Sequence, residues 1–402
     1  MSDELRRRRD NQPGLIATIM KSTFSLTLLF SLLFPAVVCP QDNQRKLEQV
    51  RSCYEDARKF ESAGNWAEAE TAWRAALSLA PNDARAWTNL GVALNRQNRS
   101  NEALAAWNHA IAIDPKLVGP HFNVGLTLVR NGDFAAAILP LRRALAIEPE
   151  NEGARRALAV ALIAVEQFPE ATRELAQLLA HTPRDATLLE MAAQSLMRQH
   201  RYAEAVAVLR RRVGLADATS QLWAQYGDAL DGAARTGEAA EAYRKAVELE
   251  PASTLIRYGL GYLYWKLYRY DDAERELLEV LGRDANDPRA AFTLGDLYLT
   301  KGEARRALPL LELAAAAYQN EFDTRFALGR ALVLTGNSQR GIEELRAAVK
   351  LDDSIADGHF QLGRALLQAG FKAEGKEELE KTRTLNEKKR ATEGDRFRRK
   401  LP

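Results

Sequence analysis

A proline returns every 34 residues in this chain. It stands at Pro81, Pro115, Pro149 and Pro183, and after a step that lands on Asp217 it returns at Pro251. Carried on without insertion, the same frame meets Ala285, Gln319 and Asp353, and ten such units fit between Val50 and Lys389. Two places in the frame are restricted in size. The eighth holds Ala57, Gly91, Gly125, Ala159, Ala193, Gly227, Gly261, Gly295, Gly329 and Gly363. The twentieth holds Ala69, Ala103, Ala137, Ala171, Ala205, Ala239, Ala273, Ala307, Gly341 and Gly375. If Gly and Ala made up about a quarter of a chain, chance would give this pattern roughly once in 10¹² trials. A unit this short cannot bury an apolar face alone, so the units must lean on one another.

The second unit shows what each contains. Trp87, Leu90, Val92 and Leu94 recur at helical spacing, as do Leu104, Trp107, Ile111 and Ile113, which predicts two amphipathic helices. Asp83 is placed to cap the first, Asn98 suits a left-handed reversal, and Pro115 stops the second. Small residues at the eighth and twentieth places let the two helices cross closely. This pattern resembles the tetratricopeptide repeat (TPR) family, a 34-residue helix–turn–helix with W-x₂-L-G-x₂-Y followed by A-x₃-F, A and P. Trp87, Leu90, Gly91, Leu94, Ala103, Trp107, Ala110 and Pro115 fill those slots, as do Trp223, Tyr226, Gly227, Leu230, Ala239, Tyr243, Ala246 and Pro251. Arg155 replaces the usual aromatic in the fourth unit, Arg212 takes a normally small place in the fifth, and Gly341 and Gly375 replace Ala in the last two. The resemblance implies an all-α fold: a TPR α-solenoid, wound as a right-handed superhelix, over residues 50–389.

Finer expectations follow. Asp83, Asn151, Asp185, Thr219, Ser253 and Asp287 precede first helices and should cap them. Pro120 and Pro288 fall in first turns, where a missing N–H costs little. Pro140 and Pro309 fall inside second helices and predict a bend or a late start. Trp66, Phe134, Phe168, Tyr202 and Tyr270 open second helices and should pack between helices.

The flanks differ from the repeat. Residues 1–40 read as a signal peptide or membrane anchor. Phe24–Val38 carries no charge, and Lys21 and the run Arg6–Arg9 precede it, the arrangement of a secretory signal. Three fates stay open: cleavage and export, retention of Leu15–Val38 as an anchor, or a lipid on Cys39. Val37-Val38-Cys39-Pro40 makes a poor cleavage site, and either Met1 or Met20 could serve as the start. Residues 41–49 read as a polar leader and 390–402 as a basic tail, while Lys372–Lys389 looks like a solvated cap. Charge is unevenly placed: +2 over residues 1–23 and +5 over 388–400 leave about −5 for the rest. That balance argues against a broad nucleic-acid face.

Catalytic chemistry finds little footing. The five histidines, His109, His121, His181, His200 and His359, form no metal pair. His121, His359 and Cys53 share the fourth place of their units and read as packing residues. A Cys39–Cys53 disulfide is the one pairing two cysteines allow, and no disulfide framework exists. Gly259-Leu260-Gly261 lies inside a first helix with no preceding strand, so it is no dinucleotide loop. The expectation is a non-enzymatic protein needing no cofactor.

In the TPR family the first helices line a concave groove that receives partners. The second, fifth, sixth, ninth, twelfth and thirteenth residues of each unit should share that face. The N-terminal half is then polar and basic, with Arg58, Arg85, Asn89, Asn95, Arg96, Asn123, Arg130 and Arg156 beside Phe122 and Leu126. The full Lys/Arg–Asn set with which some TPR domains clamp a terminal carboxylate is missing. The C-terminal half is aromatic, with Tyr258, Tyr262, Trp265, Phe292, Phe326 and Phe360, and Asp296, Arg330 and Arg364 among them. Phe292, Phe326 and Phe360, one repeat apart, should form a ladder, and an aromatic face of this kind suits an apolar, extended or helical peptide. The expected function is an exported interaction scaffold for a protein or peptide. The alternatives are a membrane-tethered assembly or chaperone-like factor, and a regulatory arm or substrate adaptor of an enzyme.

Overall fold

A computed structural model describes residues 40–398, with side chains placed over 42–391. The expected signal or anchor, with Cys39, falls on residues 1–39 and so lies outside the described residues. Those described form twenty α-helices and no strand. In chain order they are α1 (Pro40–Ser62), α2 (Trp66–Leu79), α3 (Ala84–Arg96), α4 (Ser100–Ile113), α5 (Val118–Asn131), α6 (Phe134–Ile147), α7 (Glu152–Ala164), α8 (Phe168–His181), α9 (Ala186–Arg198) and α10 (Tyr202–Val213). The series continues with α11 (Ser220–Gly232), α12 (Thr236–Leu249), α13 (Thr254–Lys266), α14 (Tyr270–Arg283), α15 (Pro288–Thr300), α16 (Ala304–Ala317), α17 (Phe322–Leu334), α18 (Ser338–Leu351), α19 (Ala356–Gln368) and α20 (Lys372–Arg398). Odd helices are the first of each hairpin and even helices the second. α1 begins at Pro40 and runs through residues 41–49, and α20 carries the helix past Lys389 to Arg398.

The size restriction has its physical cause in the crossings. All twenty eighth- and twentieth-place residues are buried. Where Ala gives way to Gly in the ninth unit, a Cβ on Gly341 would lie 2.9 Å from the carbonyl oxygen of Gly329. Backbone touches backbone there, so Gly341 answers a closer approach. Gly375 stands in the same relation to Gly363.

Every hairpin reverses through its fifteenth residue with positive φ. Five of these residues are glycine, and Asn98, Glu166, His200, Ala234 and Tyr268 are not. The six expected caps all form: the side chains of Asp83, Asn151, Asp185, Thr219, Ser253 and Asp287 each accept from a backbone N–H in the following first turn. Pro140 and Pro309 sit inside α6 and α16, which nevertheless begin at the same place in the frame as the other second helices, so no late start occurs.

The fourth place of the unit does more than pack. Trp87 Nε1 donates to the carbonyl of Pro81 at 2.8 Å, and His121 Nε2 to that of Pro115 at 3.0 Å. Arg155, Arg257, Arg325 and His359 likewise reach the carbonyl six residues upstream. Each thereby pins the turn that joins its unit to the one before. In the last four of these units the side chain also meets a Glu at the twenty-third place, as with Arg155–Glu174 at 2.7 Å and Arg257–Glu276 at 2.6 Å. Arg325–Glu344 and His359–Glu378 repeat the pair. Arg155 is therefore a substitute N–H donor for the usual aromatic, balanced by its own carboxylate. Cys53 has no such role and is a half-buried free thiol.

The frame loosens once. α10 ends two residues before the other second helices end, and residues 214–219 form the longer connection to α11. Arg212, buried at the normally small place, ties this joint by donating to Glu190 at 2.7 Å and, through both terminal nitrogens, to Asp217 at 2.9 and 3.1 Å.

Candidate functional site

Neighbouring first helices approach each other along α3–α5–α7 and along α11–α13–α15–α17–α19. Successive second helices come no closer than marginally. The stack is therefore narrower along its first-helix side, and that side is the inside of the curve. The wall parts around α9, beside the Arg212 joint, where a cleft opens among Glu190, Met191, Gln194, Met197 and Gln225.

Every residue expected in the groove stands on a first helix. Arg85, Asn89 and Arg96 are on α3, and Phe122, Asn123 and Arg130 on α5. Arg85, Arg96 and Arg130 are exposed, and Arg96 lies over the Trp66 ring at 5.4 Å. Phe122 is half-buried and packs into the core beneath α5 and α7. Arg156 turns away to pair with Asp185 at 3.0 Å.

The aromatic half is built along helices more than across them. On α13 the rings of Tyr258, Tyr262 and Trp265 stack in succession, with centroids 6.2 and 5.6 Å apart and interplanar angles of 28° and 24°. Spacings of four and three residues put these rings on one face. The expected ladder of Phe292, Phe326 and Phe360 does not form. Among the described residues no ring contact joins them, and Phe326 stacks on Phe322 of its own helix at 5.4 Å. Phe292 and Phe326 are half-buried and pack against the core, while Phe360 is 38% exposed. Arg330 lies over Phe326 and Arg364 over Phe360, at 5.5 and 5.6 Å.

Charges thread this surface. Asp231 takes Lys266 at 2.6 Å, and Lys266 lies 5.8 Å from the Tyr262 centroid. Asp228 accepts from the Tyr243 hydroxyl at 2.6 Å. Tyr243 belongs to a second helix, and its ring reaches the wall by lying where a Cβ on Gly259 or Gly227 would stand, at 2.3 and 2.5 Å. Asp296 is met by the Trp265 side chain, with Arg330 acting from further off. Asp228 is exposed as a residue, yet desolvation pushes its carboxyl up; the same cause raises that of the half-buried Asp296. Asp228, Asp231, Lys266 and Tyr243 were missed by sequence reasoning. The first three occupy the ninth, twelfth and thirteenth places, so the frame itself marks them, and only Gly259 hints at Tyr243.

Among the described residues there is no cluster that could hold a metal ion and no helix long and apolar enough to cross a membrane. What the fold and this wall define is a helical-repeat protein with a long inner surface of exposed side chains. Family models described as tetratricopeptide repeat match residues 128–195 and 232–297, and residues 54–117 and 326–375. The chain belongs to the tetratricopeptide repeat family. A search of curated proteins gave no match. Among solved structures it is similar to MamA from Desulfovibrio magneticus RS-1, at 22% identity over 42% of this chain and 96% of that one, with a TM-score of 0.39. It is also similar to YrrB, described as a TPR protein with an unusual peptide-binding site, at 20% identity over 44% and 91%, with a TM-score of 0.40. A complex of Naa15/Naa10 bound to HypK-THB aligns over 86% of this chain and 64% of that one, at 16% identity and a TM-score of 0.48.

Proposed function

We propose that this protein is a non-enzymatic scaffold whose inner wall binds a segment of another protein, and that it works outside the cytoplasm or tethered to a membrane. The observation that carries the binding role is the stack Tyr258–Tyr262–Trp265 on α13, in which the exposed Tyr262 ring is held between two half-buried rings, with Phe360 open on the same wall. Large rings held by a rigid helix lose little freedom on binding and are the side chains that dominate peptide capture. Phe292 and Phe326 contribute from half-buried positions. Arg85, Asn89, Arg96, Asn123 and Arg130 offer donors to a backbone or a carboxylate at the other end.

Affinity capture from the native compartment tests this reading. Tyr262→Ser with Phe360→Ser should lose the captured partner while helical circular dichroism is retained. Equal capture by both proteins would count against it. The uncharged stretch Phe24–Val38 supports export or tethering. Mass spectrometry of the mature protein separates the forms: a new N-terminus means cleavage, an acylated Cys39 means a lipid anchor, and an intact leader means a retained helix.

A further inference from the structure

We infer that the wall around Tyr262 receives a basic side chain, Arg or Lys, flanked by an apolar residue, from an extended segment of the partner; this rests on the groove proposed above. The ninth residues of three successive units run Asp228, Tyr262, Asp296 across adjacent helices α11, α13 and α15. The ring is thus in line with one carboxylate on each neighbouring first helix. Tyr262, 37% exposed, is the open centre of the α13 stack. Aromatic faces attract cations through their quadrupole, and carboxylates on both sides give the complementary field.

The charges of this stretch do not balance internally. Asp228, Asp231, Asp296 and Asp323 face Lys266 and Arg330, while Arg289, which lies over the Tyr258 ring at 5.0 Å, is matched by Asp287. Lys266 is held by Asp231, and Arg330 lies over Phe326. Among the described residues Asp228 and Asp296 belong to no ion pair, although each accepts a neutral donor, Tyr243 and Trp265 respectively. Desolvation raises both carboxyls, so a cationic guest relieves a cost the free protein carries and an acidic one adds to it. Leu255, exposed one turn before Tyr258 on the same face of α13, supplies the apolar contact.

The test uses fluorescein-labelled peptides identical except at one central position, occupied by Arg, Lys, Ala or Glu and followed by Leu. They are titrated by anisotropy against the full-length chain. The Arg and Lys peptides should bind at least about tenfold more tightly than the Ala and Glu peptides. Asp228→Asn with Asp296→Asn should erase that preference while the Ala peptide binds as before and helicity is unchanged. Equal binding by all four, preference for Glu, no binding by the Arg and Lys peptides, or a preference that survives both substitutions overturns the inference. The groove itself is judged separately with Tyr262→Ser. Binding that is lost in that variant but shows no charge preference sinks the basic guest and keeps the groove, whereas binding indifferent to it sinks both.

Discussion

Ala234 reverses the sixth hairpin at φ +60°, a conformation that costs an L-residue about 1–2 kcal/mol. Glycine there removes the strain but loses about 0.4–1 kcal/mol through greater freedom in the unfolded chain. Ala234→Gly should therefore raise stability by about 0.5–1 kcal/mol, read as a higher urea midpoint. Gly341→Ala should do the opposite. Ala gains about 1 kcal/mol of helix propensity, but its Cβ would strike the Gly329 carbonyl, and overpacking of that kind costs about 1–3 kcal/mol. Asp185 gives the pH dependence. The Leu188 N–H above all, then the Arg156 guanidinium, hold its carboxyl below the ordinary 3.8 against the opposing effect of burial. The folded state then binds fewer protons than the unfolded one. The stabilisation is complete above the ordinary value and is lost as pH falls through the lowered one. Asp185→Asn keeps a capping oxygen but has no titration, so its urea midpoint should fall less between neutral pH and pH 3 than the parent's. The caps were legible because Ser, Thr, Asp and Asn carry that chemistry in their formulae. The strained turns at Glu166, His200, Ala234 and Tyr268 were not, because nothing in those side chains asks for positive φ; the frame demands it of whatever stands fifteenth.

At the scale of the hairpin, the fourth and twenty-third places act as a pair. Trp87 with Ala106 and Arg155 with Glu174 are two solutions to one problem, a donor for the joining turn and a neighbour that suits it. Glu174→Ala alone should cost about 1–3 kcal/mol, since it leaves the mostly buried Arg155 guanidinium without its carboxylate. Adding Arg155→Trp should recover most of that loss, giving a non-additive cycle in urea midpoints. Sequence reasoning saw only that Arg155 departed from the family pattern. Its partner lies nineteen residues away on another helix, visible only when the two places are compared across all units. The phenylalanine ladder failed for a related reason. A shared place in the frame puts residues in line but does not bring them within contact distance, and the aromatic surface formed along α13 instead.

The whole molecule is a one-dimensional stack, so its stability is a sum of units and joints. The joint between α10 and α11 is the irregular one, since the connection is longer there, the first helices α9 and α11 part, and Arg212 bridges the connection. Arg212→Ala should speed hydrogen exchange across residues 214–219 and α10 while leaving α15–α19 unchanged. The hairpin architecture of the described residues was legible, because a 34-residue period with two size-restricted places marks where each pair of helices crosses. The site was legible as a face and not as a constellation, since neither Tyr243 crossing to Asp228 nor the α13 stack follows from spacing alone. The central claim is that the first-helix side, and not the second-helix side, meets the partner. A photo-crosslinking amino acid at Tyr262 on α13, compared with one at the exposed Leu278 on α14 of the same unit, tests it directly. A partner adduct from position 262 and none from 278 is the predicted result; an adduct from 278 alone, or from both alike, would contradict it.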